Sequence, residues 1–165
     1  MARSETTHAL LRDDLARAFD GDAWHGDSFA DLLDGISASD AAARPLPGAH
    51  SVWEIVLHVA AWMETGTRRV AAREPVPMPP ADDWPAVPEP ADDDAWASAL
   101  ARLAAAQNAL LAAVDGLDEA DLWIRLGERD AVQGTGGSVA SLLTGLAQHA
   151  AYHGGRIALL RKALT

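Results

Sequence analysis

The chain has 165 residues, a formal net charge of -11 and no cysteine, and its length suffices for one domain to bury a core without disulfides. The lack of cysteine excludes disulfides, thiolate metal sites and a cysteine nucleophile, so any metal must take nitrogen and oxygen ligands. The negative charge opposes binding to nucleic acid or to an anionic membrane, because Lys162 is the only lysine that could contact phosphates.

Alanine, a strong helix former, dominates the hydrophobic residues, whereas β-branched and aromatic residues are sparse. No stretch contains the ~18 to 20 uninterrupted apolar residues of a membrane span. Residues 1–14 mix charged and polar side chains. We therefore expect one all-α domain over residues 1–165, soluble and located in the cytoplasm.

Two helices are predicted near the start of the chain. Apolar residues recur at three- and four-residue intervals over residues 5–19, which predicts a first helix there. Ser28, followed three residues later by Asp31, resembles a helix start and predicts a shorter helix through Ile36.

A capping box predicts the start of the next long helix. Ser51 and Glu54 form the S-x-x-E pattern, in which each side chain accepts a hydrogen bond from the backbone N–H of the other residue. The helix should therefore begin at Val52. It should continue to about Arg73, because Pro75 lacks the donor that is needed to extend it.

A proline-rich segment follows this helix. Seven of the nine prolines lie between Pro75 and Pro90, too many for a regular element. A segment of this length inside a compact domain is usually functional or disordered, and Trp84 gives it a large ring for packing. We therefore expect a long crossover loop that forms an ordered flap.

Two more long helices are predicted in the second half of the chain. Acidic residues at 92–94 suit the positive end of a helix dipole and predict a helix over 93–114, and one further turn is expected at 118–123. Residues 127–137 form a polar, glycine-rich connection that could contain a short hairpin, and a last helix covers 138–163. Four long helices with a long connection after the second indicate an up-down-up-down four-helix bundle.

Three histidines face the predicted core. His149 and His153 lie one turn apart on the apolar stripe of the last helix, and His58 lies on the comparable stripe of the second long helix. A single inward histidine is more often a hydrogen-bonded core residue than a ligand. Three of them without a shared partner would each leave an unsatisfied group, at a cost of ~1 to 3 kcal/mol. One divalent metal ion would satisfy all three, so we expect them to bind it.

Five further residues are candidates for the surroundings of the ion. His25 and His50 could line the mouth of the site. The ordinary interpretation of each is a histidine that is exposed to solvent or hydrogen-bonded locally. Glu54 could orient a ligand or act as a base, but its capping role already explains it. Tyr152 is adjacent to the ligands and more often packs than donates a proton, while Arg156 is either a local cation or a surface arginine.

Two segments resemble the DinB-like (YfiT-like) superfamily of metal-dependent enzymes. The first is GAHSVWE at 48–54, which leads into LHV at 57–59 and then Trp62. The second is the H-x-x-Y-H-x-G signature within QHAAYHGGRI at 148–157. The resemblance covers most of the chain and implies a four-helix bundle that is often dimeric.

The resemblance also implies that His58, His149 and His153 hold one divalent ion of the nickel, zinc or iron type. Family members commonly have an acidic residue where this chain has Ala150, and glutamine where it has Arg156. Neither position is a ligand. The departures therefore concern the residues that orient the ligands, and the substrate.

Three protein ligands leave at least one coordination position open, which is typical of a catalytic metal site. Characterised relatives use low-molecular-weight thiols, so the resemblance favours a thiol-dependent S-transferase or isomerase, or a hydrolase, that acts on a small molecule. The alternatives are a non-catalytic metal- or ligand-binding module of the stress response and a purely structural metal. We expect no nucleic-acid or membrane partner, and the resemblance allows a homodimer.

Overall fold

The computed structural model describes residues 6–127 and 137–164, and over these residues the chain is all-α. These two ranges contain seven α-helices: α1 Thr7–Phe19, α2 Phe29–Leu33, α3 Ala38–Ala42, α4 Val52–Ala72, α5 Pro80–Asp83, α6 Asp93–Asp115 and α7 Val139–Leu164. A short 3-10 turn covers Asp121–Trp123, and Arg125 forms an isolated antiparallel bridge with Ser138. The hairpin predicted within 127–137 falls largely outside the described residues.

Side-chain caps determine where the long helices begin. At the start of α4, the Ser51 hydroxyl accepts the Glu54 N–H at 3.2 Å, and the Glu54 carboxylate accepts the Ser51 N–H at 2.8 Å. At the start of α6, Asp92 accepts the N–H of Ala95. Both starts confirm the sequence prediction, because a capping oxygen satisfies a backbone donor that the helix itself cannot.

The predicted helix from Ser28 to Ile36 is shorter than expected. Its capping box is present, but α2 ends at Leu33 and a second short helix, α3, starts after Ser37. Gly35 lies between them with a φ of +72°, in the left-handed region where a right-handed helix cannot continue. Two short helices therefore replace the single one.

The expected alternation of helix directions needs a correction, because α4 and α6 run parallel. Trp53 packs on Trp96 near the start of both helices, with ring centroids 5.1 Å apart. Further along both helices, Arg102 pairs with Glu64 at 2.8 Å. The segment 73–92 runs back along the bundle before α6 begins, which places the second and third long helices in the same direction.

The first and last long helices run opposite to this pair. His8, at the start of α1, donates to the carbonyl of Val114 at the end of α6, so α1 is antiparallel to α6. Along α4 and α7, His58 contacts His149, while an atom added at Gly66 would meet Leu146. From the first contact to the second, the residue numbers rise along α4 and fall along α7. Helix α7 is therefore antiparallel to α4.

Helix α6 is long and apolar enough to cross a membrane by length and composition alone. A core helix of a soluble bundle meets the same criterion, so the finding is weak evidence for a span. In the bundle, Leu103 and Leu110 of α6 are fully buried, and Arg102 pairs with Glu64 of α4. Packing against the neighbouring helices buries 33% of its most apolar stretch.

The proline-rich segment packs on α4 as the expected flap. Met78 is buried, and the Nε–H of Arg69 on α4 donates to the carbonyl of Val76 at 2.8 Å. Two further flap residues, Asp83 and Trp84, contact His58. The flap therefore reaches the histidines.

The cap of α4 is testable by substitution. Replacing Ser51 with alanine should lower the free energy of unfolding by about 1 kcal/mol, because the N–H of Glu54 loses its acceptor. Urea unfolding measures this change. Ser98→Ala, on the exposed side of α6, is the matched control and should change stability by less than about 0.5 kcal/mol. Equal effects of the two substitutions would contradict the capping role.

Candidate metal site

The structure brings His58, His149 and His153 together. The two Nε2 atoms of His58 and His149 lie 2.9 Å apart, and one donor atom from each of the three rings lies within 4.8 Å of the others. His58 and His153 are buried, and His149 is half-buried. The four-residue spacing places two rings on one face of α7, and antiparallel packing presents the third from α4.

The flap orients His58. The Nδ1–H of His58 donates to the backbone carbonyl of Asp83 at 2.5 Å, which leaves Nε2 as the lone-pair nitrogen that faces the other two rings. The Asp83 carboxylate accepts the indole N–H of Trp62 at 2.7 Å and lies 3.3 Å from the same Nδ1. Partners of this kind fix the tautomer and the orientation of metal-binding histidines.

Trp84 covers one face of the His58 ring. Its indole is stacked on His58 at a centroid distance of 3.8 Å and on His50 at 3.6 Å, nearly parallel to both. It also meets His153 edge-on at 5.9 Å. The flap thus places a large ring beside the cluster, where it excludes water from one side.

All three imidazoles are held in their neutral form. Burial, followed by repulsion from the neighbouring rings, lowers the pKa of His149 to about 4 and that of His153 to about 3. Burial also lowers the pKa of His58, against the opposing effect of its bond to Asp83. Neutral imidazole is the form that coordinates metal ions, so at neutral pH the cluster needs little proton release to do so.

The donors fit a metal ion. The Nδ1 atom of His153 is buried and has no hydrogen-bond partner among the described residues. Two nitrogens bound to one tetrahedral ion at 2.0 to 2.1 Å lie roughly 3.3 Å apart, close to the separation of the His58 and His149 Nε2 atoms. The three histidines could therefore form a metal site.

A cavity of about 370 Å³ opens beside the cluster, between α4 and α7. Its walls include His58, Trp62, Arg69, Asp83, Leu146 and His149. The volume is in the range of pockets that hold small organic molecules. A small molecule in this cavity would contact two of the three imidazoles directly.

The five surrounding candidates have different positions. His50 stacks on Trp84 and lies 3.5 Å from the Glu54 carboxylate. Glu54 itself caps α4 and pairs with Arg44. Tyr152 is exposed at the edge of His153, with Arg156 over its ring at 5.9 Å.

His25 has a different environment from the other four. It is exposed and lines a separate surface groove between α1 and α7, together with Asp13 and Gln148.

Sequence reasoning missed two residues beside the cluster, Asp83 and Arg69. Arg69 follows His58 by eleven residues, which is three helical turns to within about 20°, so the two share one face of α4. That spacing could have identified it. Asp83 had no such signal, because its position depends on how the flap folds back.

Comparison with known families agrees with this geometry. The family model of the DinB superfamily matches residues 22–157, and this range includes all three histidines and the flap. No curated protein and no solved structure matches the chain significantly. Because the family match covers most of its length, the chain belongs to the DinB superfamily.

Proposed function

We propose that the chain is a metal-dependent enzyme that acts on a small molecule, with one divalent ion bound by His58, His149 and His153. The observation that supports this most strongly is the convergence of three neutral imidazoles, two of them buried and one half-buried, beside a cavity. A structural site normally has four protein ligands, whereas three leave a position for water or substrate. Zinc, nickel and iron all accept imidazole nitrogen, so the ligands do not select one of them.

A divalent ion in this position would supply Lewis acidity, which activates a bound thiol or water or polarises a carbonyl. The residues of the chain supply the rest. Asp83 and Trp62 hold His58 in one orientation, and Trp84 excludes water from one face of the cluster. The cavity between α4 and α7 would hold the substrate next to His149.

For the reaction we propose transfer of a low-molecular-weight thiol, which the resemblance to thiol-using relatives favours. A screen would offer a panel of such thiols with an activated aryl chloride, so that the thiol loses its proton to the buffer and a carbon–sulfur bond forms as chloride leaves. Turnover should disappear on chelation, return with added metal and be absent in His58→Ala. Turnover that survives chelation or the substitution would contradict a metal-dependent transferase.

Assays on the same metal-loaded protein would distinguish the two alternatives, a hydrolase and a non-catalytic binding module. Metal-dependent cleavage of ester or amide substrates without any thiol requirement would identify a hydrolase. Stoichiometric binding of a thiol to the ion without turnover would identify a binding module instead. A cytoplasmic location remains a prediction of the sequence, and a homodimer remains an implication of the family resemblance.

The flap should influence the affinity for metal. Asp83→Ala removes the carboxylate that holds Trp62 and lies beside His58, so the apparent dissociation constant for zinc should rise about tenfold. Competition with a chromophoric chelator measures it. Asp82→Ala, at the exposed neighbouring position, is the matched control and should bind like the wild type. Equal affinities of all three proteins would exclude this role for the flap.

A further inference from the structure

Arg69 has an unusual environment for a charged residue. It is only 2% exposed, although it lies on α4 beside the cavity that reaches the histidine cluster. Its Nε–H donates to the carbonyl of Val76, but its Nη2 atom is buried without a hydrogen-bond partner among the described residues. Within the same residues, no carboxylate lies within ion-pair distance of it.

A buried cation without a counter-ion is costly, so such groups are normally paired. The contacts that the described residues make with Arg69 compensate only part of this cost. The guanidinium lies 5.6 Å from the centre of the Trp62 ring, a cation–π distance, and its remaining bond is to a neutral carbonyl. Burial and the neighbouring Arg68 both act to lower the pKa of Arg69, and no acid opposes them. Among the described residues no anion completes the surroundings of the guanidinium, so an anion that enters the cavity could do so.

The cavity connects this cation to the histidines. Trp62 lies between them, 5.6 Å from the guanidinium carbon and 5.9 Å from the His149 ring centre. These contacts place Arg69 within about 12 Å of His149. A hydrogen-bonded contact at the guanidinium and a van der Waals contact at the imidazole together take up about 7 Å of this distance, so a molecule of about four carbon atoms fills the rest.

We propose that Arg69 binds the carboxylate of a small organic acid that occupies the cavity beside the histidine cluster. This inference rests on the proposed function, because it defines the substrate class of that same site. A carboxylate matches a guanidinium in charge and in planar geometry. Arg69 is the one cation among the described lining residues and Asp83 the one carboxylate, and this balance suits a monoanion better than a doubly charged phosphate ester.

Butyrate and its neutral analogue butyramide are suitable probes for this site. They would be titrated into the chelator-treated and the metal-loaded protein, with the indole N–H signal of Trp62 followed by NMR. Metal-free wild type should bind butyrate at least tenfold more tightly than butyramide. Since the metal is absent, this preference reports on Arg69 and not on the ion, so it is independent of whether the proposed enzyme activity exists.

Substitutions assign the preference to one side chain. Arg69→Met should reduce it to less than twofold, and Arg69→Gln, which keeps a donor toward Val76 but no charge, should do the same if the methionine variant fails to fold. Arg68→Met, at the exposed neighbouring position, should retain it. Equal binding of the two probes by metal-free wild type would overturn the proposal. So would a preference that appears only with metal bound, or one that survives in Arg69→Gln.

Discussion

Replacing His153 with alanine is expected to lower the metal content of the purified protein from about one ion per chain to nearly none. His153 has the smallest exposed fraction of the three histidines, and its buried Nδ1 has no hydrogen-bond partner among the described residues. Two remaining imidazoles would bind a divalent ion far more weakly, because one of only three protein ligands is lost. Elemental analysis together with native mass spectrometry measures the ratio.

The control for this substitution is His25→Ala. His25 is exposed and lies in a separate groove, so its removal should leave the metal content unchanged. Circular dichroism should show an intact helical fold for both variants. Full metal content in folded His153→Ala would exclude His153 as a ligand.

The metal-free protein is expected to lose stability as the pH falls from 6.5 toward 4. In the folded chain the pKa of His149 is about 4 and that of His153 about 3, below the value near 6.5 for an unfolded chain. The unfolded chain therefore binds more protons in this range, so the free energy of unfolding decreases as the pH drops. Between pH 6.5 and 5, His153 alone contributes a loss of about 2 kcal/mol.

Urea unfolding of chelator-treated protein at pH 6.5 and pH 5 measures this loss. The range lies above the usual titration of carboxylates, so acidic groups contribute little to it. The double variant His149→Ala/His153→Ala should show a much flatter dependence, whereas His25→Ala should follow the wild type. A wild-type protein that is equally stable at both pH values would contradict the burial of neutral histidines.

The features that the sequence predicted well depend on local rules. The start of α4 at Val52 follows from the Ser51 and Glu54 pair, and the inward position of His149 and His153 follows from their spacing on an apolar stripe. Periodicity and capping act within a few residues, so they can be read without knowledge of the rest of the fold. The position of the histidine cluster was predictable for the same reason.

The features that were missed depend on contacts between distant segments. The parallel directions of α4 and α6 follow from the return path of the flap, and the same path brings the Asp83 carbonyl to His58. Neither is encoded in a local pattern. The break at Gly35 was a local signal that the pattern of apolar residues concealed.

Cobalt(II) titration tests the open three-histidine site most directly. One equivalent of cobalt should bind to the metal-free protein and produce visible absorption bands, and azide or a thiol should shift these bands by occupying the open position. His58→Ala should abolish them. Folded wild-type protein that binds no cobalt at this stoichiometry, or whose bands are insensitive to azide and thiols alike, would contradict an open metal site.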